Sequence, residues 1–171
     1  TTVAYAAVEQ SGLAFEHQLW LRKEAVPGLR RLTDAIHAGG AKASIQLGHC
    51  GNMAKPATAG GRALAPSAKF NLYGPVWPRA MTKDDLARVT KSFGEAVRVA
   101  KDAGFDAVEV QAGHGYLISQ FLSPFTNRRT DEYGGSVENR MRFMREVMAE
   151  VRRAAEGVAV VVKTNLRDGF A

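Results

Sequence analysis

Residues 82–110 read TKDDLARVTKSFGEAVRVAKDAGFDAVEV, and the order of events in this stretch decides the fold. Thr82, with Asp85 three positions on, has the spacing of a capping box that opens a helix. Leu86, Val89, Phe93, Val97 and Ala100 then recur at helical spacing until Gly104 ends the run. FDAVEV, 105–110, follows at once and is short, apolar and β-branched enough for a buried strand. A helix that passes into a buried strand within a residue or two is the repeating half of an α/β architecture.

Working outward, the same passage occurs twice more. Residues 24–38 place Pro27 near a helix start and Leu29, Leu32 and Ile36 on one face, stop at Gly39-Gly40, and lead into the strand AKASIQL at 41–47. Ser136 caps a third helix whose apolar face is read as Met141, Met144, Met148 and Val151. Arg152 and Arg153 suit its C-terminal dipole, Gly157 ends it, and VAVVVKT at 158–164 is the next strand. Three such units predict a parallel sheet covered by helices. The helix-to-strand turns are short, whereas about 35 residues follow the strand at 41–47 and a second long segment follows FDAVEV. Structureless loops in a compact domain rarely exceed about 15 residues, so both are site candidates. Elaboration at the carboxyl ends of strands fits a (βα)8 TIM barrel or a doubly wound sheet. No Gly-x-Gly-x-x-Gly follows a strand, which favours the barrel.

The 171 residues, 46% of them hydrophobic, are expected to form a single domain over 1–171. The net charge of +6 is scattered among acids along helical stretches, so nucleic acid is not an expected partner, and no apolar run reaches the roughly 20 residues that span a bilayer. The single cysteine, Cys50, excludes a disulfide within this chain and a Cys-only zinc or iron-sulfur site, which suits a cytoplasmic setting. The chain opens on TTVAYAAVEQ, a β-prone run with neither Met nor a basic leader, and is expected to be a piece of a longer protein.

The strands end alike. The first delivers Gln46 and then His49, the second Gln111, His114 and Tyr116, the third Lys163 and Asn165. At one barrel mouth these would converge on a single ligand. Amides at 46 and 111 suit an uncharged planar ligand, and a cation at 163 suits a place where negative charge develops. The plainer readings are a satisfied loop amide for each glutamine, and a core histidine and tyrosine for His114 and Tyr116. Lys163 ends a run of valines and calls for a partner or ligand. His49-Cys50 is discounted as a metal pair because adjacent side chains on extended backbone diverge. Gly134-Gly135-Ser136 reads as a capped turn more readily than a phosphate loop. Arg128, Arg129 and Arg140 near Asp131, Glu132 and Glu138 read as ion pairs that stiffen the loop.

Longer strings carry more. GFDAVEVQAGHGYLISQFLSPFTNRRTDEYGGSVENRMRF (104–143), preceded in order by SIQLGHCG, RALAPSA and PRAMTKDDLARV, resembles the signature of the Old Yellow Enzyme family of FMN-dependent NADH:flavin oxidoreductases. The resemblance implies a (βα)8 barrel with FMN at its mouth. Hydride would pass from NAD(P)H through flavin to an activated alkene, an enone or enoate, as small-molecule substrate. It places Gln46 on the flavin pyrimidine ring, Lys163 beside flavin N1 and O2, and His49 with the cofactor-binding residues. Gln111 and His114 match the pair that holds a substrate carbonyl oxygen, and Tyr116 the tyrosine that protonates the carbon alpha to it. Two positions depart from the pattern: Gln111 where the family commonly has His, and Asn52 where many relatives have Arg. The chain would cover about strands 2 to 5, leaving the rest of the barrel to further sequence or to a second copy. Two other readings are an amine-oxidising flavoprotein of the same family and a non-catalytic half-barrel that binds a ligand or oligomerises.

Overall fold

A computed structural model describes residues 1–72 and 74–168. In chain order the elements are β1 (Thr2–Ala7), α1 (Val26–Ala38), β2 (Ser44–Gly48), α2 (Pro56–Ala59), β3 (Leu64–Ala65), β4 (Arg79–Ala80), α3 (Lys83–Asp102), β5 (Ala107–Ala112), α4 (Leu117–Leu122), α5 (Val137–Arg140), α6 (Arg142–Ala154) and β6 (Ala159–Thr164). Four parallel strands form one sheet in the order β1-β2-β5-β6, and β3 with β4 makes a small second sheet. The order never reverses, so the sheet is singly wound, as in the wall of a barrel, and not doubly wound about a switch point.

One face of the sheet is apolar. Ala6, Ile45, Leu47, Val108 and Val110 join Leu29 of α1, Leu86, Val89 and Phe93 of α3, and Phe143, Val147 and Val151 of α6 in one continuous core. Each of these Val, Leu, Ile and Phe side chains, fully buried, contributes about 1.5–3 kcal/mol of transfer free energy. The capping box is present: the Thr82 hydroxyl accepts from the Asp85 amide at 3.1 Å while the Asp85 carboxylate accepts from the Thr82 amide at 2.8 Å. Opposite the core, successive strands present Gln46, Glu109, Gln111 and Lys163. The pairings Gln46 with Glu109 and Gln111 with Lys163 put all four on the same face.

Several expectations shift. The second strand begins at Ala107, because the Phe105 amide still bonds the Ala100 carbonyl and the Asp106 carboxylate takes the Ala43 amide; it runs on through Gln111 and Ala112, which pair with Lys163 and Thr164. The helix capped by Ser136 breaks at Met141 and resumes in a new phase. Phe143, packed 4.6 Å from Phe121 of α4, takes the core with Val147 and Val151, and Met141 is left 38% exposed. In α1, Thr33 is buried in place of Leu32, since its hydroxyl donates to the Ala103 carbonyl at 2.6 Å. Among the described residues β6 has a neighbour on one side only, so valines read as core are open: Val161 is 48% and Val162 36% exposed.

The long segment after β2 is not structureless; it holds a 3-10 turn, α2, β3 and β4. Of the loop ion pairs, Arg129 does grip Asp131 at 2.6 Å, but Glu132 pairs with Lys83 and Arg140 donates to the Leu122 and Gly135 carbonyls.

Candidate functional site

The polar face of the sheet is a chain of hydrogen bonds. Gln46 is buried and its Nε2 donates to Glu109 Oε1 at 2.5 Å. Gln111 Nε2 donates to Gln46 Oε1 at 3.1 Å and pairs with His114 Nδ1 at 3.3 Å, and Gln111 Oε1 accepts from the Gly113 amide at 3.0 Å. Every polar atom of Gln111 is therefore engaged and the residue is 2% exposed. Among the described residues the Gln111 amide nitrogen is shared between Gln46 and His114, so the two members of the expected carbonyl-holding pair, Gln111 and His114, are bonded to each other. Glu109 was missed in sequence, although a lone acid two positions before Gln111 in an apolar strand was its signal.

The turn after β5 holds His114 outward. Its φ is +58°, rare for a residue with a side chain, and its amide donates to Asn165 Oδ1 at 3.0 Å. The fit at Gly113 is equally close: a Cβ there would lie 2.8 Å from Asn165 Oδ1. These contacts bring the β5 and β6 ends together as expected. The His114 ring is exposed, 6.4 Å from the ring of Tyr116.

Tyr116 is half-buried, edge-on to Tyr5 of β1 at 5.0 Å, and Tyr5 in turn donates to the Gly12 carbonyl at 2.7 Å. The Tyr116 hydroxyl has no hydrogen-bond partner among the described residues. Burial first, and then the neighbouring Cys50, push it above the usual phenol range, so it keeps its proton at neutral pH. Tyr5, supplied by the N-terminal strand, is a second residue that the sequence reading did not single out.

His49 stands elsewhere. Its side chain is wholly enclosed; Nδ1 accepts from the Gly51 amide at 3.0 Å, which leaves the ring proton on Nε2 to donate to Ser11 Oγ at 3.0 Å, and Ser11 in turn donates to Glu9. It supports the loop after β2 from behind, and its side chain does not share the face of Gln46 and Lys163. Lys163 does share that face, but on the edge strand of the described sheet; it is exposed, and the described residues supply no ion-pair partner for it.

Beside His114 lies a cavity of about 610 Å³, whose walls include Phe70, Leu72, Phe125, Ser119 and Asn165. Its floor is tied by Gln120 of α4, another residue missed in sequence. Gln120 Nε2 donates to the carbonyls of Cys50 (3.2 Å) and Gly115 (2.7 Å) and to Asn52 Oδ1 (2.9 Å), while its Oε1 accepts from the Asn52 amide at 3.1 Å. Asn52, one of the two departures from the family pattern, thus joins the loops after β2 and β5.

Comparison with known proteins agrees with this geometry. The profile of the NADH:flavin oxidoreductase / NADH oxidase family matches residues 1–169. The chain is 46% identical over 170 residues to 4,4'-dithiodibutanoate disulfide reductase of Rhodococcus erythropolis, covering 99% of this chain and 42% of that protein. It is 42% identical over 156 residues to an NADPH dehydrogenase of Listeria welshimeri, covering 91% and 45%. Among solved structures, the Old Yellow Enzyme homologue from Zymomonas mobilis superposes with a TM-score of 0.84 at 34% identity, over 93% of this chain and 48% of that one. The chain spans less than half the length of the curated relatives it matches. Strand order, polar strand ends and sequence agree: the chain belongs to the NADH:flavin oxidoreductase family, the Old Yellow Enzymes, whose cofactor is FMN and whose reductant is NAD(P)H.

Proposed function

We propose that this chain is the second-to-fifth-strand section of a (βα)8 flavoenzyme that reduces an activated alkene. The observation that carries the proposal is the hydrogen-bonded row Gln46, Gln111, His114 on the helix-free face, with the uncommitted Tyr116 hydroxyl beside it. The donor set fits the ring end of FMN. Gln46 keeps one amide hydrogen beyond the one given to Glu109, and Lys163 lies on the same face with no competing carboxylate among the described residues. Gln46 and Lys163 would hold that ring, the ammonium stabilising negative charge. When bound, FMN would take hydride from NAD(P)H and pass it to the substrate.

The remaining work falls to this chain's residues. His114 would donate to the substrate carbonyl oxygen, with Gln111 holding the imidazole in place. Tyr116, kept protonated by burial and Cys50, would give its proton to the carbon alpha to that carbonyl. The apolar walls at Phe70, Leu72 and Phe125 would receive the hydrocarbon part of the acceptor. The remaining strands are assigned to further sequence of the same protein, which the greater length of the relatives supports.

A second reading is favoured by the 46% identity to a disulfide reductase: the acceptor is an organic disulfide, cleaved to two thiols. The test is the oxidative half-reaction of the full-length flavoprotein, followed anaerobically by flavin absorbance. Rapid reoxidation by 2-cyclohexenone supports the alkene reading. Reoxidation by 4,4'-dithiodibutanoate alone moves the assignment to disulfides, and reoxidation by neither overturns both.

A further inference from the structure

The row on the helix-free face has a direction, and both of its ends impose it. At one end Glu109, a carboxylate, can only accept, so the Gln46 nitrogen must face it and the Gln46 oxygen must face Gln111. At the other end the Gly113 amide can only donate, so Gln111 Oε1 must face it and Gln111 Nε2 must face away, toward Gln46 Oε1 and His114 Nδ1. The two constraints meet at the Gln46–Gln111 bond, which forms only when both amides are turned this way. Nδ1 of His114 therefore accepts, and the ring proton lies on Nε2, which has no partner among the described residues and belongs to an exposed ring beside the cavity.

We propose that Glu109 is a positioning residue that, through Gln46 and Gln111, fixes the tautomer of His114 so that Nε2–H is presented to the substrate. The use of that N–H in catalysis rests on the flavin reading above; the relay itself stands on the hydrogen bonds. A glutamate that merely joined β2 to β5 would not govern which nitrogen of the histidine in the turn beyond β5 carries the proton. The relay also gives Gln111 a use that a second histidine would not match: an amide has fixed donor and acceptor ends, so it transmits direction.

The test uses the full-length flavoprotein with its histidines labelled with nitrogen-15 and the His114 signal assigned by its loss in His114→Asn. Long-range proton–nitrogen spectra should show His114 protonated at Nε2 and not at Nδ1. Glu109→Leu, which frees Gln46 to turn its nitrogen toward Gln111 and so to oppose the Gly113 bond, should lose that single tautomer and weaken FMN binding about tenfold, the scale of one buried hydrogen bond. Glu109→Gln, which keeps an acceptor, should retain the tautomer and bind FMN within about threefold of wild type. Gln111→Glu, which replaces the donor by an acceptor, should move the proton to Nδ1. A wild-type His114 protonated at Nδ1, a wild-type tautomer and affinity in Glu109→Leu, or an unmoved proton in Gln111→Glu would each overturn the relay. If Glu109→Leu does not fold, wild type, Glu109→Gln and Gln111→Glu still decide. A protein that takes up no FMN overturns the flavin reading, while the spectra judge the relay separately.

Discussion

Behind the site, His49 and Glu9 lie side by side, Nε2 3.5 Å from Oε1, with Arg88 closing on the same carboxylate from α3. Burial alone would raise the Glu9 carboxyl, but His49 beside it and the bonds from Arg88 and Ser11 outweigh that and bring it from its ordinary 4.5 down to about 2. A group depressed on folding adds stability that is fully present above about 4.5 and drains away as pH falls through about 2. Glu9→Gln should therefore cost about 3 kcal/mol at pH 7 and flatten the acid limb of the stability curve between those values. Urea unfolding across that pH range checks it; an unchanged acid limb would remove Glu9 as its source.

Cys50 is fully buried, and that burial pushes its thiol up to about 12. The thiolate is the reactive form. A disulfide reagent such as DTNB at pH 8 should modify Cys50 at least about 100-fold more slowly in the native protein than in urea. Rapid native labelling would show that the loop after β2 opens readily.

Tyr116→Phe removes an uncommitted hydroxyl beside His114 and leaves the ring contact with Tyr5 in place. Stopped-flow should find the oxidative half-reaction with an enone slowed by about 100-fold, the scale of one proton-transfer group, and flavin reduction by NAD(P)H nearly unchanged. Equal loss in both halves would take the proton-donor role away from Tyr116.

Gly51 and Gly135 both have positive φ, +63° and +80°, but differ in surroundings. A Cβ on Gly51 would meet Gln120 Oε1 at 2.4 Å, whereas one on Gly135 finds nothing within 4 Å. Gly135→Ala should cost only the backbone penalty of about 1–2 kcal/mol. Gly51→Ala should cost about 2 kcal/mol more, because the Gln120 amide loses partners as it shifts. Thermal melts of the two variants give the comparison directly, and equal losses would mean that Gln120 yields without cost.

Much of this was legible in the sequence, for physical reasons. Local spacing gave α3 and its cap, because a helix is specified by near neighbours: Thr82, Asp85 and the apolar positions that follow. The polar strand ends Gln46, Gln111 and Lys163 were readable because alternation fixes the face of each residue once a strand is recognised. What failed depended on contacts distant in sequence. Phe143 displaced Met141 from the core because Phe121 was waiting for it, and His49 turned away from the mouth because Ser11 and Glu9 hold it. The valines before Lys163 read as interior because a continuous β-branched run is the mark of a strand covered on both faces, whereas among the described residues β6 has a neighbour on one side only. Glu109, Tyr5 and Gln120 went unremarked because one acid, one ring or one amide has no signature until its partners are known.

The four bonds of Gln120 also set a rule for anyone re-engineering this scaffold. Because one amide clasps Cys50 and Asn52 on one side and Gly115 on the other, the two long loops form a single interchangeable part. A chimera that takes only one loop from a relative inherits half a clasp, and its new segment would have to find fresh anchorage before any change in acceptor preference could be read from it.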